Sequence, residues 1–117
     1  MACIIHVRVA DFTQTPVGRY IHEGPHSGEA YRKNILSDEF KQAMGSGQKL
    51  LINIDGLNAC PSSFFNEAIF GLVEEYGITL ETLMSIIKID STNPRLAESV
   101  KNYIDPRYTR EQVLGST

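Results

Sequence analysis

The sequence predicts one α/β domain, a mixed sheet of about four strands flanked by three or more helices, and three observations predict it. Residues 50–70 read LLINIDGLNACPSSFFNEAIF, an apolar run ending in Asp55-Gly56, a short loop, Pro61-Ser62-Ser63 and an apolar-rich helical stretch. That is the pattern of a buried strand, a turn at its C-terminal end and a helix N-terminus, the place where ligands and partners of open α/β sheets collect. Strand-like and helix-like segments follow one another along the chain as strand, strand, helix, strand, helix, strand, helix. The chain of 117 residues, 42% hydrophobic and 21% charged, has the size and composition of one globular unit. The domain is expected to span residues 1–117, with an ordered core over about 3–105 and a polar C-terminal tail over 106–117.

Each element has its own signal. Residues 3–9, CIIHVRV, alternate as a strand, with Ile5, Val7 and Val9 on one side and His6 and Arg8 on the other. A loop follows, and Val17-Gly18-Arg19-Tyr20-Ile21 reads as a short second strand forming a hairpin with the first. Ser27 caps a helix expected to run to about Met44, with Glu29 in its first turn, where a negative charge suits the dipole. Tyr31, Ile35, Leu36, Phe40, Ala43 and Met44 form its stripe, and Gly45-Ser46-Gly47 ends it. Leu50, Leu51, Ile52 and Ile54 are nearly continuous, as expected for a central strand covered on both faces. The next helix begins at Ser62 or Ser63 and closes around Gly77, residues 79–83 suggest one helical turn, and SIIKID over 85–90 is another strand. Pro94 suits the first turn of a last helix that ends near Ile104, before Pro106.

Composition excludes several function classes. A net charge of −3 lacks the basic footprint of nonspecific nucleic-acid binding. No run of eighteen apolar residues exists to span a membrane, and the N-terminus lacks the basic and long apolar regions of a signal peptide. Two cysteines, Cys3 and Cys60, carry no CxxC spacing, so the simplest reading is a reduced, cytoplasmic protein.

Ser62 and Ser63 are the first candidates for function. Their plain role is N-capping, typically worth about 1 kcal/mol. The sharper reading is phosphorylation of one hydroxyl, because a helix N-terminus accepts an anion. The phosphate would bring about −1.5 to −2 charges beside Phe64 and Phe65 and would block an apolar partner docked there. Phe64, Phe65 and Phe70 have the composition of core. Neighbours on a helix lie about 100° apart, however, so Phe64 and Phe65 cannot share one narrow stripe, and an exposed ring serving as a partner anchor is the alternative. With Asp55 and Asn58 these two rings make up the expected partner-binding surface.

Arg19, Gly24, Ser27, Gly28 and Arg32 form a second constellation. Glycines before a helix N-terminus can expose N–H groups to an anion, and Arg19 or Arg32 could add a bidentate contact. No Walker lysine is present, so this is not a P-loop. The alternative is a turn, a cap and ion pairs from arginine to Glu29 or Glu67. His6, His22 and His26 form no metal pattern, since Gly24-Pro25 separates the last two and nothing nearby completes a site. Cys60 has no base assigned to it, and Asp55 is a lone carboxylate that can cap the turn at Gly56. No cofactor and no metal are expected.

The strand, turn, Ser-Ser, helix element, after an N-terminal strand pair and a βα unit, resembles the STAS domain, named for sulfate transporters and anti-sigma factor antagonists. In the antagonists the loop reads Asp-Ser-Ser-Gly, and its second serine is phosphorylated by a partner kinase. On that pattern Ser63 takes the phosphorylated position and Ser62 its neighbour, while Pro61 and Phe64 replace the acidic residue and the glycine. The chain is more closely similar to a bacterial STAS-like domain family of unknown function. Gly18-Arg19, Ser27-Gly28-Glu29 with Arg32, and Ser63-Phe64 with Glu67 carry that likeness over residues 4–104. The resemblance implies a STAS-like fold and a non-catalytic regulatory module that binds a protein partner, a GHKL-type ATPase or kinase, through residues 55–65. The runner-up is a small-ligand or nucleotide-anion binder, or an enzyme subunit, acting through Arg19, Ser27, Gly28 and Arg32. A third reading is a subunit of a homo-oligomer.

Overall fold

A computed structural model describes residues 4–104. Strand β1 covers Ile4–Arg8 and runs into a short helix α1, Val9–Phe12. A 3-10 turn at Ile21–Glu23 precedes helix α2, residues 28–46. Strand β2, Lys49–Asn53, is followed by helix α3, residues 62–76. Helix α4, Leu80–Ile86, leads into strand β3, Ile87–Asp90, and helix α5, Pro94–Ile104, ends the described chain. The expectations for Cys3 and for the tail over 106–117 lie outside the described residues.

The sheet has three strands in the order β1-β2-β3, all parallel. Leu50 pairs with Ile5 on one side and Ile87 on the other, and Ile52 with Val7 and Ile89. These six side chains share one face, on which α2, α3 and α5 pack; Leu50, Ile52 and Ile87 are fully buried there.

Three expectations are corrected here. The sheet is parallel and three-stranded among the described residues, not a mixed sheet of about four. Residues 17–21 make no strand: Gly18 takes φ +88°, and the carbonyls of Gly18 and Arg19 accept from the N–H groups of Gly28 and Glu29 at 3.0 and 2.9 Å. Their acceptors serve a helix terminus instead of a hairpin ladder. Nor is β2 enclosed on both faces. Lys49 is exposed and Leu51 and Asn53 are half-buried, beside exposed His6, Arg8 and Lys88, so the second face is largely open. The continuous apolar run hid an ordinary period-2 alternation.

The helix boundaries follow their local chemistry. Gly47 at φ +69° and Gly77 at φ +61° end α2 and α3 in the left-handed conformation that glycine adopts without penalty. Asn93 Oδ1 accepts from the N–H of Arg95 and Leu96 at 3.1 and 3.3 Å, capping α5 ahead of Pro94 at its first position. The predicted turn at 79–83 is the start of α4, capped by Thr79, whose Oγ1 accepts from Thr82 N–H at 3.1 Å. It extends through Ser85 and Ile86, so β3 is shorter than the SIIKID run.

Both long helices contain a π turn, Arg32–Leu36 in α2 and Asn66–Phe70 in α3, and the two turns face each other. Gly28 sits where the helices meet; a Cβ there would collide with the Phe64 carbonyl.

Candidate functional site

The C-terminal ends of the three parallel strands converge on a polar edge. Asp55 follows β2 and reaches across to the turn after β3, accepting from Ser91 Oγ at 2.7 Å and from Thr92 N–H at 3.2 Å. The Ser91 hydroxyl, ahead of the Thr92 N–H, holds its carboxyl below the usual aspartate range. Asn53 bridges the same edge, donating from Nδ2 to Asp90 at 2.9 Å and to Asp55 at 3.4 Å. Asp55 therefore caps a turn, but the one at 91–92 rather than its own at Gly56. Asn58 is exposed, with its N–H on the Gln14 carbonyl at 2.8 Å, which ties the loop before α3 to the segment after α1.

The loop leads to Pro61, the N-cap of α3, so Ser62 and Ser63 are its first two helical residues. That placement corrects the capping role expected of them. A residue inside the first turn points away from the N–H groups that an N-cap side chain would reach, and α3 begins with no side-chain cap. Ser62 is exposed and Ser63 half-buried, and neither hydroxyl has a hydrogen-bond partner among the described residues. The adjacent anchors expected at Phe64 and Phe65 are also corrected. Both rings are fully buried, edge to face with centroids 5.1 Å apart, and Phe64 stacks on Tyr31 at 5.9 Å. Burial on α3 is not confined to one narrow stripe, because α3 packs on α2 and α5 as well as on the core and so buries a wide arc. Phe70 is half-buried.

The second constellation is brought together, with its donors directed at groups inside the protein and Arg32 Nε buried without a hydrogen-bond partner. At the start of α2, Gly28 and Glu29 N–H meet the Gly18 and Arg19 carbonyls, Ala30 N–H meets Ser27 Oγ at 3.2 Å, and Tyr31 N–H meets the Ser27 carbonyl at 3.0 Å. Arg32, 8% exposed, crosses to α3. Its Nη1 donates to the Glu67 carbonyl inside the π turn and to Glu67 Oε2 at 2.7 Å, and its Nε lies 3.3 Å from Glu75 Oε1. Arg19 Nη1 donates to Asn66 Oδ1 at 2.8 Å and lies 3.8 Å from Glu67. Gly71 makes room for Arg32, since a Cβ there would collide with the guanidinium. The ion pair with Glu67 is the internal alternative to anion binding that the sequence left open. Gly24, at φ +146°, turns the loop.

The same contacts hold up a loop that sequence reasoning missed. Val17, Tyr20 and Ile21 are 59%, 43% and 47% exposed, yet their backbone is tightly framed. Arg19 and Tyr20 N–H donate to Glu23 Oε1 at 3.2 and 3.0 Å, and Ile21 N–H donates to Glu29 Oε1 at 2.9 Å. The Ile21 amide, followed by Lys33, holds the Glu29 carboxyl below its usual range. The signal in the sequence was Gly18 in the middle of the supposed strand, which marks a break rather than a pleat.

Other candidate groups are dispersed. His6 stands on the open sheet face, His22 stacks on Tyr20 at 5.6 Å, and His26 Nδ1 lies 2.6 Å from Thr13 Oγ1. Among the described residues no three His, Cys, Asp or Glu side chains could hold a metal ion together. Burial pushes the Cys60 thiol up, and no hydrogen-bonding base faces it among the described residues. Tyr31 OH is buried without a hydrogen-bond partner, and desolvation raises its pKa strongly. No helix among the described residues is long and apolar enough to cross a membrane.

A parallel sheet with a helix N-terminus at its carboxyl edge makes this an α/β domain of the open-sheet kind. The family described as STAS-like domain of unknown function (DUF4325) matches residues 32–95, more than half of the chain, and the chain belongs to that family. No curated protein and no solved structure matches it.

Proposed function

We propose that the protein is a cytoplasmic, non-catalytic regulatory module that binds a protein partner through the loop over residues 17–21 and the first turn of α3. The observation that carries this reading is the loop itself. Three large apolar side chains stand in solvent on a backbone already fixed by Glu23, Glu29 and the α2 terminus. Exposed aromatic and aliphatic groups on a preorganised frame bind with little ordering cost. Phe64 and Phe65 are buried, so this loop takes over the anchoring role that the sequence assigned to them.

The switch in this reading is phosphorylation of Ser63 or Ser62. Their hydroxyls are uncommitted, and the N–H groups of the first turn favour an added anion. Asn66 and Glu67, one turn further on, hold Arg19, a residue of the apolar loop. A charge of about −2 on the serines would compete for that guanidinium and alter the loop it braces. The partner class that fits the resemblance is a GHKL-type ATPase or kinase.

The test is phosphopeptide mapping of the protein from its native cells, combined with crosslinking from a photoreactive group at Tyr20. The reading expects a phosphate on the peptide carrying Ser62 and Ser63, absent in Ser63→Ala or Ser62→Ala, and one ATPase-type adduct that Ile21→Asp abolishes. An unmodified peptide in all growth phases removes the switch. Adducts unchanged by Ile21→Asp remove the binding surface.

A further inference from the structure

We infer that β3 is a self-association edge, and that two copies of the chain join their sheets there, antiparallel, about a two-fold axis through Ile89. β3 pairs with β2 on one side, and no strand lies beyond it among the described residues. An unpaired edge is a template for another strand, and natural proteins blunt such edges with charge or cover them. The other edge, β1, is managed in that way: its sequence ends in Arg8, paired with Asp11 at 3.8 Å, and the chain turns at once into α1. β3 is built differently.

Its sequence is Ile87-Lys88-Ile89-Asp90. Lys88 and Asp90 stand on the open face of the sheet, and Ile87 and Ile89 on the helix face. In an antiparallel pair centred on Ile89, residue 88 lies directly opposite residue 90 of the other copy. Lys88 then faces the partner's Asp90, and Asp90 faces the partner's Lys88, on the same face and at cross-strand distance. Lys88 has no ion pair among the described residues, and Asp90 uses Oδ2 for Asn53, which leaves Oδ1 to accept. The same test applied to β1 about His6 sets Ile4 against Arg8, with no complementarity.

The helix side of the junction also fits a second copy. A groove of about 400 Å³ runs between β3 and α5, lined by apolar Met84, Ile87, Ile89 and Ala97 together with charged Glu98 and Lys101. Half-buried Ile89 leads toward the axis, so the partner's Ile89 meets it there and both aliphatic side chains leave water. A solitary lysine on an edge only discourages pairing. A lysine and an aspartate two residues apart make the edge complementary to itself, which is the requirement of a two-fold contact.

Sedimentation equilibrium of the full chain and two charge variants tests the proposal. The wild type should reach twice the chain mass, and Lys88→Asp and Asp90→Lys should each be monomeric with at least about tenfold weaker self-association, because like charges then oppose at both positions. An equimolar mixture of the two variants should restore the dimer, since every cross-strand pair is again opposite in sign. Lys88 is exposed, so its variant keeps the fold, and circular dichroism checks this. A monomeric wild type overturns the proposal; it would leave Lys88 as a gatekeeper, or the edge to another segment or protein. A dimer that persists in Lys88→Asp, or variants that stay monomeric when mixed, overturns it as well.

Discussion

The N-termini of α2 and α3 are built from similar material and finished in opposite ways. Each follows a loop containing glycine or proline, each carries serine, and each lies beside the other across the Gly28 contact. At α2, Ser27 is the cap itself, and the first four N–H groups all have acceptors, two of them carbonyls lent by residues 18 and 19. At α3 the cap is Pro61, which offers no side-chain acceptor, and the serines fall inside the first turn with their hydroxyls unpaired. The contrast shows that serine at a helix start does not define a role. One residue of displacement relative to the cap separates a serine that caps its helix from one whose hydroxyl is left unpaired.

The two helix starts depend most on the seam that holds both in place. Arg32→Met should cost about 3 kcal/mol, because it strands the Glu67 carboxylate and its carbonyl in a mostly buried site. Urea denaturation is the measurement, and a loss under about 1 kcal/mol would show that water replaces the guanidinium. The two serines give the direct contrast. Ser27→Ala should lose about 1 kcal/mol, while Ser62→Ala and Ser63→Ala should stay within about 0.5 kcal/mol of wild type. Equal losses at Ser27 and Ser63 would restore the capping role to Ser63.

A gentler change sharpens the same point. Ser63→Glu places a negative charge on the open terminus and should raise stability by about 0.5 kcal/mol, read as a higher melting temperature at low salt that fades as salt is added. A fall in stability would mean that the terminus resists an anion. The smallest effect concerns Asp55 at the sheet edge. Its carboxyl is depressed in the folded state, so its stabilising contribution is present above the unfolded pKa of about 3.9 and is lost as pH falls through the lower folded value. The melting temperature of Asp55→Asn should therefore lie below wild type at neutral pH and converge with it in acid. A constant gap down to pH 2 would assign the effect to packing.

Much of the architecture was legible because it depends on local chemistry. Ser27, Gly47, Gly77 and Pro94 each act within a few residues of themselves, so the helix ends fell where the sequence put them. The family likeness was legible too, and the match covers Arg32, Ser63-Phe64 and Glu67 but not Gly18-Arg19 or Ser27-Gly28-Glu29. What escaped depends on distant partners. Residues 17–21 have strand-forming side chains, yet their carbonyls are claimed by Gly28 and Glu29. Phe64 and Phe65 are neighbours that one stripe cannot bury, but helices stand on more than one side of them. The π turns leave no mark in periodicity over a few residues, although they bring Glu67 to Arg32. At the start of α3 the serines were legible as helix-start residues and their geometry was not, since an N-cap and a first-turn residue differ by one position.

The strand order β1-β2-β3 is also the order in which the ribosome makes the strands. Each new strand therefore meets a finished neighbour as it emerges, and no early segment has to wait for a late one to be inserted beside it. Domains that can be assembled in this vectorial way bury their apolar faces while the rest of the chain is still being synthesised, which shortens the interval in which a nascent chain can aggregate. Among the described residues β3 is the last strand laid down, and it meets a β1-β2 pair that is already formed.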